Sequence, residues 1–202
     1  MSAQTYVTVD CSVHTKVFQL SADVVPLFHS LAQAALYFTG LCGWYDLSVA
    51  IDGNKAIQRA NRQFRGVDAP TDTLSFPSAD IPLVALPPEL SWTAREWGDD
   101  THDSPMTYRH TENTPAAVFS RVYPLQSHGS AQQPFYLGDI LMSAPTIFAQ
   151  AKAAEHSELF EIAFLFTHSV LHLIGFDDFS EMGYNTMVHI QRAILAAENI
   201  QE

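Results

Sequence analysis

His168 and His172 stand four residues apart in an otherwise apolar run, and Gly175-Phe176-Asp177-Asp178 follows directly. On a helix, residues four apart lie on one face, so the two imidazoles can aim at a single point. Gly175 ends such a helix and turns the chain, which can bring a carboxylate of Asp177 or Asp178 back to that point. Two neutral imidazoles and a carboxylate form a tridentate set for a divalent ion, with a coordination position left for water or substrate. A single histidine on an apolar face is more often a core residue bonded to backbone. Two at helical spacing, with a glycine turn and paired aspartates after them, favour a metal site.

The elements that must position this group are read from periodicity. Glu158 to Ile174 is apolar nearly all round, which predicts a central, buried helix with both histidines toward its C-terminal end. Ser180-Glu181 opens a last helix to about Ala197, with Met182, Met187, Ile190, Ile194 and Leu195 as its inner face. Phe135 to Ser143 reads as a strand in which Gly138-Asp139 marks a bulge or a close backbone approach. A helix from Ala144 to His156 follows, entered through Pro145. Toward the N-terminus, Thr5 to Val13 alternates like a half-buried strand, and Val24 to Thr39 has helical spacing closed by Gly40 and Gly43. Tyr45 to Ile51 reads as a second strand, Lys55 to Phe64 as a short helix and Thr73 to Phe76 as another strand. Between Pro77 and Phe135 the pattern dissolves. Seven of the eleven prolines fall there, and only Ala117 to Tyr123 has strand character.

A chain of 202 residues suits one domain with a single core, here carrying an insertion at about 78–134. It contains no apolar run long enough to span a membrane, and Met1 to Cys11 lacks the pattern of a signal peptide, so a cytoplasmic location is expected. Cys11 and Cys42 are too few for a disulfide framework and read as buried thiols. The net charge of −12 argues against coating nucleic acid through a general basic surface. Four of the ten Lys and Arg residues nevertheless fall between Lys55 and Arg65. Lys55, Arg59 and Arg62 would line one helix face, with Arg65 at or just past its end. An ordinary solvated face explains them equally well, but a local basic patch can guide an anionic substrate.

Three motifs in order carry a resemblance. They are Asn61-Arg62-Gln63-Phe64-Arg65-Gly66 running on to Thr71-Asp72-Thr73-Leu74-Ser75-Phe76-Pro77, then Leu137-Gly138-Asp139-Ile140, then His168-x-x-x-His172-x-x-Gly175-Phe176-Asp177. Together they resemble the YbeY family of metal-dependent endoribonucleases, implicated in maturing ribosomal RNA and in ribosome quality control. The resemblance implies an α+β fold, with a small mixed β-sheet of about four strands surrounded by helices and a metal site at the end of a buried helix. It also implies one divalent ion, zinc before others, with ribosomal RNA and the small ribosomal subunit as partners. His168 and His172 match the first two of three histidine ligands in the family pattern HxxxHxxGxDH. Arg65 matches an arginine by the metal cleft, and Asp139 an acid of the LGDI strand that is structural or supports the ligands rather than being one.

Two departures stand out. The third histidine is replaced by Asp178, and the strand ending at Pro77 is joined to the LGDI strand by a much longer link than is usual in the family. Oxygen can replace nitrogen at zinc with little change of distance, at about 2.0 to 2.2 Å. The added negative charge makes the ion a weaker electrophile, and a two-His-one-carboxylate set also suits iron(II), manganese or nickel. The expected chemistry is hydrolysis of an RNA phosphodiester at the ion on His168, His172 and Asp178, with Arg65 forked onto phosphoryl oxygens. Lys55, Arg59 and Arg62 would steer the RNA backbone. Two rival readings are a non-catalytic ribosome-assembly factor with a structural metal and a metallopeptidase-like hydrolase. The second lacks its general base, because Ser169 follows the first histidine where such enzymes place Glu.

Overall fold

Alternation along one strand divides the molecule into two sides. In β2 (Leu41–Asp52), Tyr45, Leu47, Val49 and Ile51 are buried, whereas Asp46, Ser48 and Ala50 between them are only partly covered. That is the period of a sheet with helices on one face. The computed structural model describes residues 4–15, 24–80, 82–84, 86 and 126–202. Around β2 it places strands β1 (Thr5–Val13), β3 (Thr73–Pro77), β4 (Gln126–His128) and β5 (Phe135–Ser143). The helices are α1 (Val24–Phe38), α2 (Asn54–Arg65), α3 (Ala144–Ala154), α4 (Glu158–Ile174) and α5 (Glu181–Ala197).

The fold is α+β with a mixed sheet in the order β1-β2-β5-β3, and β4 pairs with the first residues of β2. β1 and β5 run parallel to β2, while β3 runs antiparallel to β5. Parallel neighbours need a crossover, and α1 supplies the one between β1 and β2. α1 packs on α4 through stacked Phe28 and Phe166 rings 4.2 Å apart. From Phe160 to Ile174 nearly every residue of α4 is buried, as its all-round apolar sequence predicts.

Gly138 unites the two readings offered for it. Asp46 pairs with Tyr136 but Ser48 with Asp139, so β5 carries one extra residue there. Gly138 itself has φ +134°, and a Cβ at that position would lie 2.1 Å from the Phe76 carbonyl oxygen.

The structure corrects the sequence reading at three places. β2 begins at Leu41 rather than Tyr45, because Gly43 does not close α1 but lies within the strand. Its φ is +114°, and a Cβ would stand 2.1 Å from the His128 carbonyl oxygen, so the glycine admits the short β4 that periodicity did not reveal. Met182 is 58% exposed, while Met187, Ile190, Ile194 and Leu195 are buried. The inward position of that first turn is Gly183, where a Cβ would meet the Asp177 carbonyl oxygen at 2.2 Å, so its neighbour Met182 points away. Cys42 is buried as expected, but Cys11 is only half-buried.

The segment after β3 returns to the core. Leu83 and Val84 are buried, and their N–H groups donate to the Ile174 carbonyl at 3.0 and 3.3 Å. The strand expected at Ala117 to Tyr123 lies outside the described residues. Among the described residues no single helix is long and apolar enough to cross a membrane.

Candidate metal centre

The site is built on the C-terminal end of α4. Ser157 caps the start of this helix, its Oγ accepting from the Phe160 N–H at 3.0 Å. Gly175 ends it in the left-handed region at φ +119°. The Gly175 N–H donates to the His172 carbonyl and the Phe176 N–H to the Leu171 carbonyl, both at 3.1 Å. These two bonds form a Schellman turn, which satisfies otherwise orphaned helix carbonyls and folds the chain back. Phe176, fully buried, anchors the turn.

The turn brings a third side chain to the histidines. His168, His172 and Asp178 offer ligand atoms that all lie within 4.8 Å of one another, and they form the one such group among the described residues. The two Nε2 atoms are 2.9 Å apart, with Asp178 oxygens 3.7 Å from His168 Nε2 and 3.8 Å from His172 Nε2. Bonds of about 2.0 to 2.1 Å in a tetrahedron would separate ligand atoms by about 3.4 Å, so these spacings bracket a site for a small divalent ion. The side chains keep 18 to 22% of their surface exposed, so the group is not sealed from solvent. Asp177, left open as a ligand by spacing alone, is buried and accepts from the Phe179 N–H at 3.2 Å.

Protonation states suit a cation. His172 Nδ1 lies 2.8 Å from the Phe176 carbonyl, which can only accept, so Nδ1 carries the proton and Nε2 presents a lone pair. Burial, reinforced by repulsion from His172, pulls His168 down to about 4, against the opposing pull of Asp178, Asp72 and Gln191. For Asp178 burial works upward, but His172 and His168 outweigh it and hold the carboxyl below its ordinary value. At neutral pH the group is therefore a neutral imidazole and a carboxylate around a second imidazole whose Nε2 faces them.

A pH dependence follows for the metal-free protein. His168 has a folded pKa near 4 against an ordinary 6.5, so between those values the unfolded chain binds more protons. Stability is then fully present above about pH 6.5 and falls as pH drops toward 4, by on the order of 3 kcal/mol. Denaturant unfolding in the presence of a chelator at pH 7 and pH 4.5 measures the loss, which His168→Asn should reduce.

Two residues near the site were given no role by spacing, although Asp72 stands within the first of the three motifs. Asp72 acts on His168 through its charge. Its Oδ1 accepts from the Thr73 N–H at 2.7 Å and its Oδ2 from Gln150 Nε2 at 3.0 Å. Gln191, buried on α5, meets His168 from the neighbouring helix. Neither could be found by spacing, since each reaches the site from a distant part of the chain.

The basic residues belong to α2. Lys55, Arg59, Arg62 and Arg65 are all exposed on α2, and Arg62 pairs with Asp68 at 3.7 Å. Arg65 closes the helix before Gly66, which takes the left-handed conformation at φ +76°. Among the described residues no hydrogen bond or ion pair ties Arg65 to the histidines. The segment that carries it is nonetheless tethered to α4: Phe64 meets Phe76 edge to face at 5.1 Å, and Thr73 Oγ1 bonds Ser169 Oγ at 2.8 Å. Ser169 is fully buried and also donates to the Leu165 carbonyl, so the position where a peptidase would carry its base points into the sheet.

Fold and site together define a class, α+β proteins able to hold a divalent ion where a buried helix ends. The sequence pattern of one family, described as Endoribonuclease YbeY, matches residues 11–199, and the chain belongs to that family. Endoribonuclease YbeY of Lachnoclostridium phytofermentans is 30% identical over 189 residues, covering 93% of this chain and 95% of the relative. The protein of the same name from Moorella thermoacetica is 29% identical, covering 95% and 99%. The solution structure of TM1509 from Thermotoga maritima shares the fold with a TM-score of 0.50 at 17% identity, covering 95% of this chain and 91% of that one.

Proposed function

We propose that this protein is a metal-dependent endoribonuclease that hydrolyses RNA phosphodiesters, acting in ribosomal RNA maturation and ribosome quality control. The observation that carries the reading is the convergence of His168, His172 and Asp178 in a chain of this family. Zinc is the ion the family reading puts first, and ribosomal RNA and the small ribosomal subunit are the partners it entails. The reading places the protein in the cytoplasm. It treats residues 1–202 as one domain with an insertion at about 78–134.

A divalent ion held by the three side chains supplies Lewis acidity, acidifying water and polarising a phosphoryl oxygen. The rest is work for the chain's own residues. His172 is held in a metal-ready orientation by the Phe176 carbonyl, and the Schellman turn fixes the Asp178 carboxylate opposite it. Arg65 offers a planar fork to phosphoryl oxygens and offsets charge that grows during displacement. Lys55, Arg59 and Arg62 draw the RNA backbone toward the cleft against the repulsion of an acidic chain.

The test is to incubate zinc-loaded protein with structured RNA, single-stranded RNA and a peptide mixture, comparing wild type with Arg65→Ala. RNA cleavage that falls by about two to three orders of magnitude in the variant, with peptides untouched, supports the reading. Equal cleavage by both proteins would sink the role of Arg65, and no RNA cleavage by either would leave an assembly factor with a structural metal. Elemental analysis of Asp178→Ala tests the third ligand: full metal retention would show that Asp178 is not that ligand.

A further inference from the structure

His168 and His172 do not enter the site on equal terms. The proton of His172 is fixed on Nδ1 by the Phe176 carbonyl, so its Nε2 can only accept. His168 Nε2 stands 2.9 Å from that atom and 3.7 Å from an Asp178 oxygen, so it is turned to the same point. An ion held there needs the Nε2 lone pair, so the neutral ring would carry its proton on Nδ1.

The group able to receive it stands on α5. Gln191 is 1% exposed, and its Nε2 donates to the Phe164 carbonyl at 3.1 Å, one turn before His168. A carbonyl accepts only, so this bond fixes the amide orientation and identifies the other atom as Oε1. Oε1 is buried and has no hydrogen-bond partner. The anchor at Phe164 sets the side chain one helical turn from His168, where its influence favours the protonated ring. With Nε2 of His168 turned to His172 and Asp178, Nδ1 is the nitrogen left to face it.

We infer that Gln191 is the positioning residue of His168, its buried Oε1 accepting the Nδ1 proton in the metal-bound form and so holding the ring with Nε2 toward the ion. The ring stays neutral, with Nδ1–H as the donor for Oε1. α5 thus takes part in ion binding without supplying a ligand. This inference rests on the metal assignment above.

Zinc affinity, measured by competition with a chromophoric chelator for wild type, Gln191→Met and Gln191→Glu, separates positioning from packing. Positioning predicts that Gln191→Met loses about 10- to 100-fold in affinity while Gln191→Glu, still an acceptor, stays within about threefold of wild type. Packing alone predicts the reverse ranking, because methionine fills the volume and glutamate buries a charge. Should Gln191→Met fail to fold, two-bond 15N–1H NMR of zinc-loaded wild type decides: a slowly exchanging Nδ1 proton on His168 supports the inference, and its absence overturns it. If wild type takes up no zinc, the metal assignment fails and this inference with it; if wild type and Gln191→Met bind zinc alike, this inference alone falls.

Discussion

His172→Ala is expected to lower zinc affinity by more than about 100-fold, beyond the usual effect of losing a partner that only orients a ligand. RNA cleavage should fall to background with it. His172 is the pivot of the group, since its Nε2 lies 2.9 Å from that of His168 and 3.8 Å from an Asp178 oxygen. Its Nδ1 also ties the ring to the Phe176 carbonyl, so alanine removes a ligand and a clasp on the turn at once. Isothermal titration with zinc, beside a cleavage assay on one structured RNA, checks both losses. Unchanged zinc uptake by the variant would contradict the assignment.

Gly175→Ala should be nearly as damaging without touching a ligand. At φ +119° an L-residue is strained by about 1 to 3 kcal/mol. The added Cβ would also stand 2.4 Å from Pro82 Cβ and 2.8 Å from its Cα, contacts that only a shift of the backbone can relieve. The Schellman turn and the Leu83 and Val84 bonds to Ile174 share this corner, so the shift reaches both the core and Asp178. The expected result is a loss of about 3 kcal/mol or more in denaturant unfolding, together with weakened zinc binding. A variant with wild-type stability and affinity would show that the turn does not set the site.

What the sequence revealed was local. The histidine pair, the all-round apolar α4 and the glycine that ends it lie within one run, where spacing on a helix dictates geometry. The choice between Asp177 and Asp178 was not local: it depends on the path of the turn, which buries Asp177 against the Phe179 N–H and leaves Asp178 facing the histidines. Resemblance to the family named Asp178 where spacing could not. β4 escaped because three residues carry no period, and its register comes from the close approach that Gly43 permits. Met182 misled because an apolar residue beside the true inward position looks the same on a helical wheel. Asp72 and Gln191 gave no sign of their role, because tertiary packing, not spacing, brings them to His168.

The replacement of a third histidine by Asp178 sharpens the question of what the centre can do. A carboxylate adds negative charge at the ion, so acidification of water there is weaker than with three imidazoles.

The most direct measurement is cleavage of a structured RNA by protein stripped with a chelator, then reloaded with zinc while bound metal is counted. The account predicts that stripping abolishes internal cleavage and that activity returns in proportion to zinc, saturating near one ion per chain. Cleavage that persists undiminished in the stripped protein, or zinc that binds at one per chain and restores none, would contradict it.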